Sequence, residues 1–189
     1  MKHDQTENWK LLLLVWTGPA GLALVCAGFF LFSGFIPPPS PLLTSEQTIA
    51  LWRDHTVLKQ IGMLLCVWGG VLYVPFTMAI AFVLRWAEKT PVFSWTQAAL
   101  GTFGTIFFSA NFFILYITPF RLDSDPSNVQ LLHDLGFIAT FAPVQPFTFQ
   151  YILIALAIFS DRSQSVFPRW IAYANLWVGL LFVPACIIP

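Results

Sequence analysis

Charge is scarce in this sequence. Of 189 residues 10% are charged, and nine basic side chains are balanced by nine acidic ones, for a formal net charge of zero. A chain without a basic excess has no electrostatic footprint for nucleic acid, which excludes that class of partner, and without an acidic tail it has none for a basic protein. Cysteine is rarer still, with three residues. Cys26, Cys66 and Cys186 each fall inside an apolar run, where a thiol behaves as a small hydrophobe. An odd, scattered set builds neither a disulfide framework nor a Cys-x-x-Cys site. The sequence also lacks a nucleophile elbow, a phosphate loop, a dinucleotide fingerprint and the chain of buried carboxylates that an ion pump needs.

What fills the chain instead is hydrocarbon. Apolar residues make up 57% of it, and the mean hydropathy is +0.73, far from soluble-domain composition. Windows of about twenty apolar residues predict an all-α membrane protein: a single transmembrane domain over 1–189, a bundle of about five helices at 11–36, 57–84, 94–118, 131–159 and 167–188. The charged-then-apolar N-terminus has the order of a signal peptide, but its apolar run continues to Ile36 without a small-x-small cleavage site, so it reads as a retained first helix. Five spans put the termini on opposite sides. Lys2, Lys10, Arg85, Lys89, Arg162 and Arg169 then share one side, against Arg53, Lys59 and Arg121 on the other, which predicts a cytoplasmic N-terminus. Trp9, Trp86, Trp95 and Trp170 mark the inner edges, and Trp52 and Tyr116 the outer ones.

The first outer loop and interfacial helix occupy 37–56. Pro37, Pro38, Pro39 and Pro41 hold the chain extended. Thr44 with Gln47 forms a capping-box pattern, after which helix is expected to run without a breaker into the second span. Ser127 with Gln130 repeats that pattern before the fourth span. Two small-residue stripes predict packing faces: Ala20, Ala23, Ala27 and Gly34 in the first span, and Gly101, Thr105 and Ser109 in the third. Gly69, Gly70 and Pro75 predict a kink in the second.

The stretch Ser127–Ser160 is the most unusual. It is long and apolar enough to cross a bilayer, yet it carries Asp134, Gln145 and Gln150 and is expected to be broken by Pro143 and Pro146. Backbone freed by a proline at membrane depth needs cover from protein or a cavity. This predicts a pocket for an apolar, lipid-like group, with ligand-binding residues Asn111, Asp134, Phe141, Gln145, Phe149, Gln150 and Asn175. The plainer reading makes the amides interhelical glue, and makes Asp134 a first-turn carboxylate paired with Arg53 or Arg121. Asp54, His55, His133 and Asp134 are weak metal-ligand candidates, because adjacent helical residues point about 100° apart and no HxxxH spacing occurs. No metal or cofactor is implied.

GFIPPPSP at Gly34–Pro41, DLG at Asp134–Gly136 and FPRWIAYANLW at Phe167–Trp177 together resemble a group of small, uncharacterised bacterial polytopic integral membrane proteins. The resemblance implies a bacterial inner membrane, and it carries no catalytic role. With membrane lipids as surroundings and other membrane protein subunits as possible partners, the first functional expectation is a non-catalytic accessory or structural subunit. The alternatives are binding or transport of an apolar lipid-like ligand, and a membrane enzyme acting on such a ligand.

Overall fold

The computed structural model describes residues 8–162, 164 and 166–184. Helix α1 (Asn8–Cys26) widens into a π-helical turn at Ala27–Phe32, followed by the short α2 (Ser45–Arg53), α3 (Thr56–Leu84) and α4 (Val92–Ile117). A 3-10 turn at Thr118–Arg121 then leads to α5 (Pro126–Phe141), α6 (Gln145–Ser160) and α7 (Arg169–Phe182). Among the described residues, four segments are long and apolar enough to cross a membrane: Trp9–Phe32, Thr56–Leu84, Val92–Arg121 and Pro126–Ser160. The predicted fifth span, 167–188, is described only as the 14-residue α7; its end, with Cys186, lies outside the described residues, as do Lys2 and the rest of 1–7.

Contacts divide the chain into two compact units. One, here the Gln150 unit, is assembled from the stretch ending at Ala20, from Leu72–Thr105 and from Ala142 onward; the other, the Trp52 unit, comprises Gly21–Val71 and Ile106–Phe141.

The Trp52 unit has an aromatic core of Phe29, Phe35, Trp52 and Phe112 with Met63, Cys66, Leu115 and Val129. Helices α1 and α3 meet there through glycine. A Cβ on Gly28 would lie 2.3 Å from the Gly62 carbonyl oxygen, and one on Gly69 would lie 2.6 Å from the Gly21 carbonyl oxygen. This close backbone approach corrects the expected packing face, since Ala20 and Ala23 are exposed and the seam runs along Gly21 and Gly28 instead. The partner decides the register: Gly62 and Gly69 of α3 fall seven residues apart, opposite Gly28 of the π-helical turn and Gly21 of α1. The second stripe does face protein. Gly101 and Thr105 are buried, and Ser109 lies against Gly70. Helix α3 runs unbroken through Pro75.

Thr44 and Gln47 form the reciprocal capping box at the start of α2. The expected continuation into α3 fails. Asp54 is extended and His55 is left-handed with φ 52°, and the carbonyls freed at this break find side-chain partners. Thr56 Oγ1 donates to the Trp52 carbonyl at 2.8 Å and Lys59 Nζ donates to the Asp54 carbonyl. The predicted Ser127 cap is also displaced. Asp125 accepts from the Ser127 amide at 2.9 Å and its hydroxyl at 2.8 Å, with Pro126 at the first helical position, where a missing N–H costs nothing. Gln130 reaches α2 instead, accepting from Ser45 Oγ and donating to the Leu43 carbonyl at 3.2 Å.

In the Gln150 unit, α6 packs on α7 around Leu84, Ile154, Ala155, Ala157, Ile158 and Ala172. Tyr151 stacks on Phe182 with centroids 5.7 Å apart. The N-terminus of α4 is closed by Glu88, whose carboxylate accepts from the amides of Phe93 at 2.9 Å and Ser94 at 2.8 Å and from the Ser94 hydroxyl. A carboxylate there satisfies orphan donors and meets the positive end of the helix dipole.

Candidate functional site

Gln150 is fully buried, and so are Thr77 and Gln97. Its amide nitrogen donates to Thr77 Oγ1 at 2.8 Å and to Gln97 Oε1 at 3.1 Å, while its carbonyl accepts from the Tyr73 hydroxyl at 3.0 Å. Thr77 Oγ1 donates to Gln97 Oε1 at 3.1 Å, and Gln97 Nε2 returns to the Thr77 carbonyl at 3.3 Å. Gly101 leaves room for this cluster, because a Cβ there would lie 2.5 Å from the Gln150 amide nitrogen. Helices α3, α4 and α6 are thus joined by a ring of neutral donors and acceptors. No carboxylate, imidazole or amine belongs to that ring, so it holds helices together and has no group suited to general acid–base work near neutrality.

The residues around Pro143 and Pro146 follow a simple accounting. In a continuing helix each carbonyl accepts from the amide four residues on, and a proline at that position leaves the carbonyl orphaned. Pro143 orphans Ala139, and Pro146 orphans Ala142. Helix α5 ends at Phe141 and α6 begins at Gln145. The Ala139 carbonyl accepts from the Asn111 amide of α4. The Ala142 carbonyl accepts from the Val144 N–H at 2.9 Å and from Gln145 Nε2 at 3.3 Å. Asn111 thus supplies a donor to the Ala139 carbonyl at the end of α5, while Gln145 adds a second, longer bond to a carbonyl that Val144 already serves.

A second cluster, in the Trp52 unit, centres on His133. The indole Nε1–H of Trp52 donates to His133 Nδ1 at 3.1 Å, both side chains being buried. The imidazole also packs on Phe137 with centroids 4.6 Å apart. Lys59, likewise buried, holds its ammonium on the Asp54 carbonyl and 3.7 Å from the Asp54 carboxylate, which His55 Nε2 also approaches at 3.5 Å. Arg53 pairs with Asp123 at 2.9 Å, so the expected pairing of Arg53 with Asp134 gives way to another. Beside that pair an open cleft of about 540 Å³ is lined by Ile49, Ala50, Arg53, Leu122 and Asp123, among others. Its guanidinium is already engaged by Asp123 and by the Leu122 carbonyl.

The predicted ligand-binding residues thus have separate occupations. Gln150 joins the three-helix ring, Asn111 serves the Ala139 carbonyl, Gln145 adds to the Ala142 carbonyl, and Asn175 donates to the Ile171 carbonyl of its own helix at 2.8 Å. Phe141 and Phe149 are 46% and 58% exposed, facing outward where a pocket lining would face in. Asp134 is half-buried. Of the metal candidates, Asp54 and His55 adjoin while His133 is engaged by Trp52, and among the described residues no group of three or more His, Cys, Asp or Glu side chains gathers. Reading by sequence missed Tyr73, Thr77 and Gln97. The one available signal was Gln97, an amide inside an apolar run that needs a partner there.

Among the described residues, four apolar segments of spanning length, three of them joined by buried amide hydrogen bonds, mark a polytopic helical membrane protein. Comparison with protein-family models, curated protein sequences and solved structures found no significant match.

Proposed function

We propose that the chain is a non-catalytic structural or accessory subunit of a complex in a bacterial inner membrane. In this reading it crosses five times with its N-terminus in the cytoplasm, and α5 and α6 form one crossing interrupted by Pro143 and Pro146. The supporting observation is how the membrane-depth amides are used. Gln97, Gln150 and Asn111, the groups best suited to hold a ligand, are buried and bonded to neighbouring helices. Interhelical bonds of this kind fix a scaffold.

Purification in mild detergent tests the role: stoichiometric companion proteins are expected, and a monodisperse monomer without companions refutes it. Orientation has its own test. Lys89→Cys, in the loop between α3 and α4, should resist an impermeant maleimide added to intact cells, and prompt labelling from outside would reverse the topology. Lys89 is chosen over Glu88 because Glu88 caps α4.

A further inference from the structure

We infer that Trp52 and His133 form a proton-operated latch that fastens α2 onto the aromatic core of the Trp52 unit.

The direction of their hydrogen bond carries the argument. An indole N–H can only donate, so with Nε1 3.1 Å from His133 Nδ1 that nitrogen must offer its lone pair. The imidazole is then neutral, with its proton on Nε2. A proton added at Nδ1 turns the acceptor into a donor and sets two N–H groups against each other. Trp52 has no exposed surface and His133 is 4% exposed, so no solvent is at hand to take over the bond. The Trp52 ring must then leave.

The remaining fastenings of α2 are weaker. Arg53 and Asp123 are 58% and 98% exposed at the side chain, and a solvated pair of that kind contributes little. Ser45 and Leu43 are tied to Gln130 just before and at the helix start. The latch therefore acts at the opposite end of α2, where Trp52 meets Phe35 edge-on with centroids 5.7 Å apart and Phe35 meets Phe29 and Phe137. Thr48, fully buried with a hydroxyl that has no partner, comes away with the same helix. The charged groups nearby are otherwise engaged: on α2 Arg53 turns to Asp123, and on α3 Lys59 turns to Asp54. On α5, the neighbouring charge is the half-buried Asp134, the next residue in the chain.

Hydrogen–deuterium exchange of the full chain in lipid nanodiscs tests the latch, read as protection factors so that the intrinsic pH dependence of exchange is removed. Between about pH 8 and about pH 4, which bracket the ordinary imidazole value of about 6.5, peptides covering α2 should lose protection by about tenfold or more. Peptides from the middle of α3 should not change. His133→Gln keeps an acceptor for the indole but cannot titrate, and its α2 should stay protected throughout. A flat wild-type response overturns the latch, and so does a His133→Gln response as large as the wild type's, which would assign the effect to the carboxylates. Should His133→Gln lose protection at both pH values, Trp52→Phe decides. Low, pH-independent protection of α2 supports the latch, and a retained acid response overturns it.

Discussion

The bond from Asn111 to the Ala139 carbonyl makes a quantitative claim about Pro143. If the amide is there because the proline cannot donate, the two positions must be energetically coupled. Asn111→Leu keeps the bulk, removes the donor and leaves a carbonyl of α5 unsatisfied beside a residue only 5% exposed. An interhelical hydrogen bond in a membrane averages about 0.6 kcal/mol, and a buried group left without a partner costs about 1–3 kcal/mol. The substitution should therefore cost about 2 kcal/mol, roughly 30-fold in the folded-to-unfolded ratio. Pro143→Ala restores an N–H four residues after Ala139, and in that background Asn111→Leu should cost only a few tenths of a kcal/mol, for a coupling energy above about 1 kcal/mol. Equilibrium unfolding in mixed micelles of rising dodecyl sulfate content, followed by circular dichroism, measures all four corners of the cycle. An Asn111→Leu cost that is the same with Pro143 and with Ala would refute the accounting.

Three further outcomes can be measured the same way or by exchange. Gln150→Leu removes three side-chain hydrogen bonds, so it should cost about 2 kcal/mol at about 0.6 kcal/mol each; adding Tyr73→Phe should then cost almost nothing more, and full additivity would argue against a shared network. Gly28→Ala should be worse than Gly101→Ala, because its Cβ meets backbone at Gly62 whereas the Gly101 one meets the side-chain amide of Gln150. The second should cost about 1–3 kcal/mol and the first more, and the reverse order would refute the distinction between backbone and side-chain obstruction. At the start of α5, the Ser127 amide and hydroxyl hold the Asp125 carboxyl below its usual range. A lowered pKa contributes stability above the unfolded value and loses it as pH falls through the folded one. Protection at the first turn of α5 should accordingly survive to below the ordinary carboxylate range and then fail, and Asp125→Ala should lack it at every pH.

What could be read in advance divides by distance along the chain. The apolar windows and the Thr44–Gln47 cap are local patterns, and they matched the four long helices and the start of α2. The break at Asp54–His55 carries neither glycine nor proline, so no local breaker announced it; it is sustained by Thr56 and Lys59, which collect the carbonyls it frees. At Ser127 the capping pattern was present, but Asp125 with Pro126 after it is the stronger start signal, and Gln130 was free to reach Ser45 across the intervening helices. The α1 seam failed for a different reason. Alanine and glycine are both small, and only the opposing glycines of α3 show that backbone contact is required. Gln150 was recognised as a residue needing partners, but those partners stand 53, 73 and 77 positions away, a choice that belongs to tertiary packing.

The Asn111 contact also bears on how the chain enters a bilayer. A helix end with an open carbonyl is poorly soluble in hydrocarbon, so α5 is a bad candidate for insertion alone. Its missing donor is carried by α4, the segment made just before it, and the short turn through Thr118–Arg121 keeps the two within reach. The order of synthesis thus delivers the donor first. Helices α4 and α5 are suited to leave the insertion machinery as a hairpin, with the orphaned carbonyl already covered when lipid first reaches it.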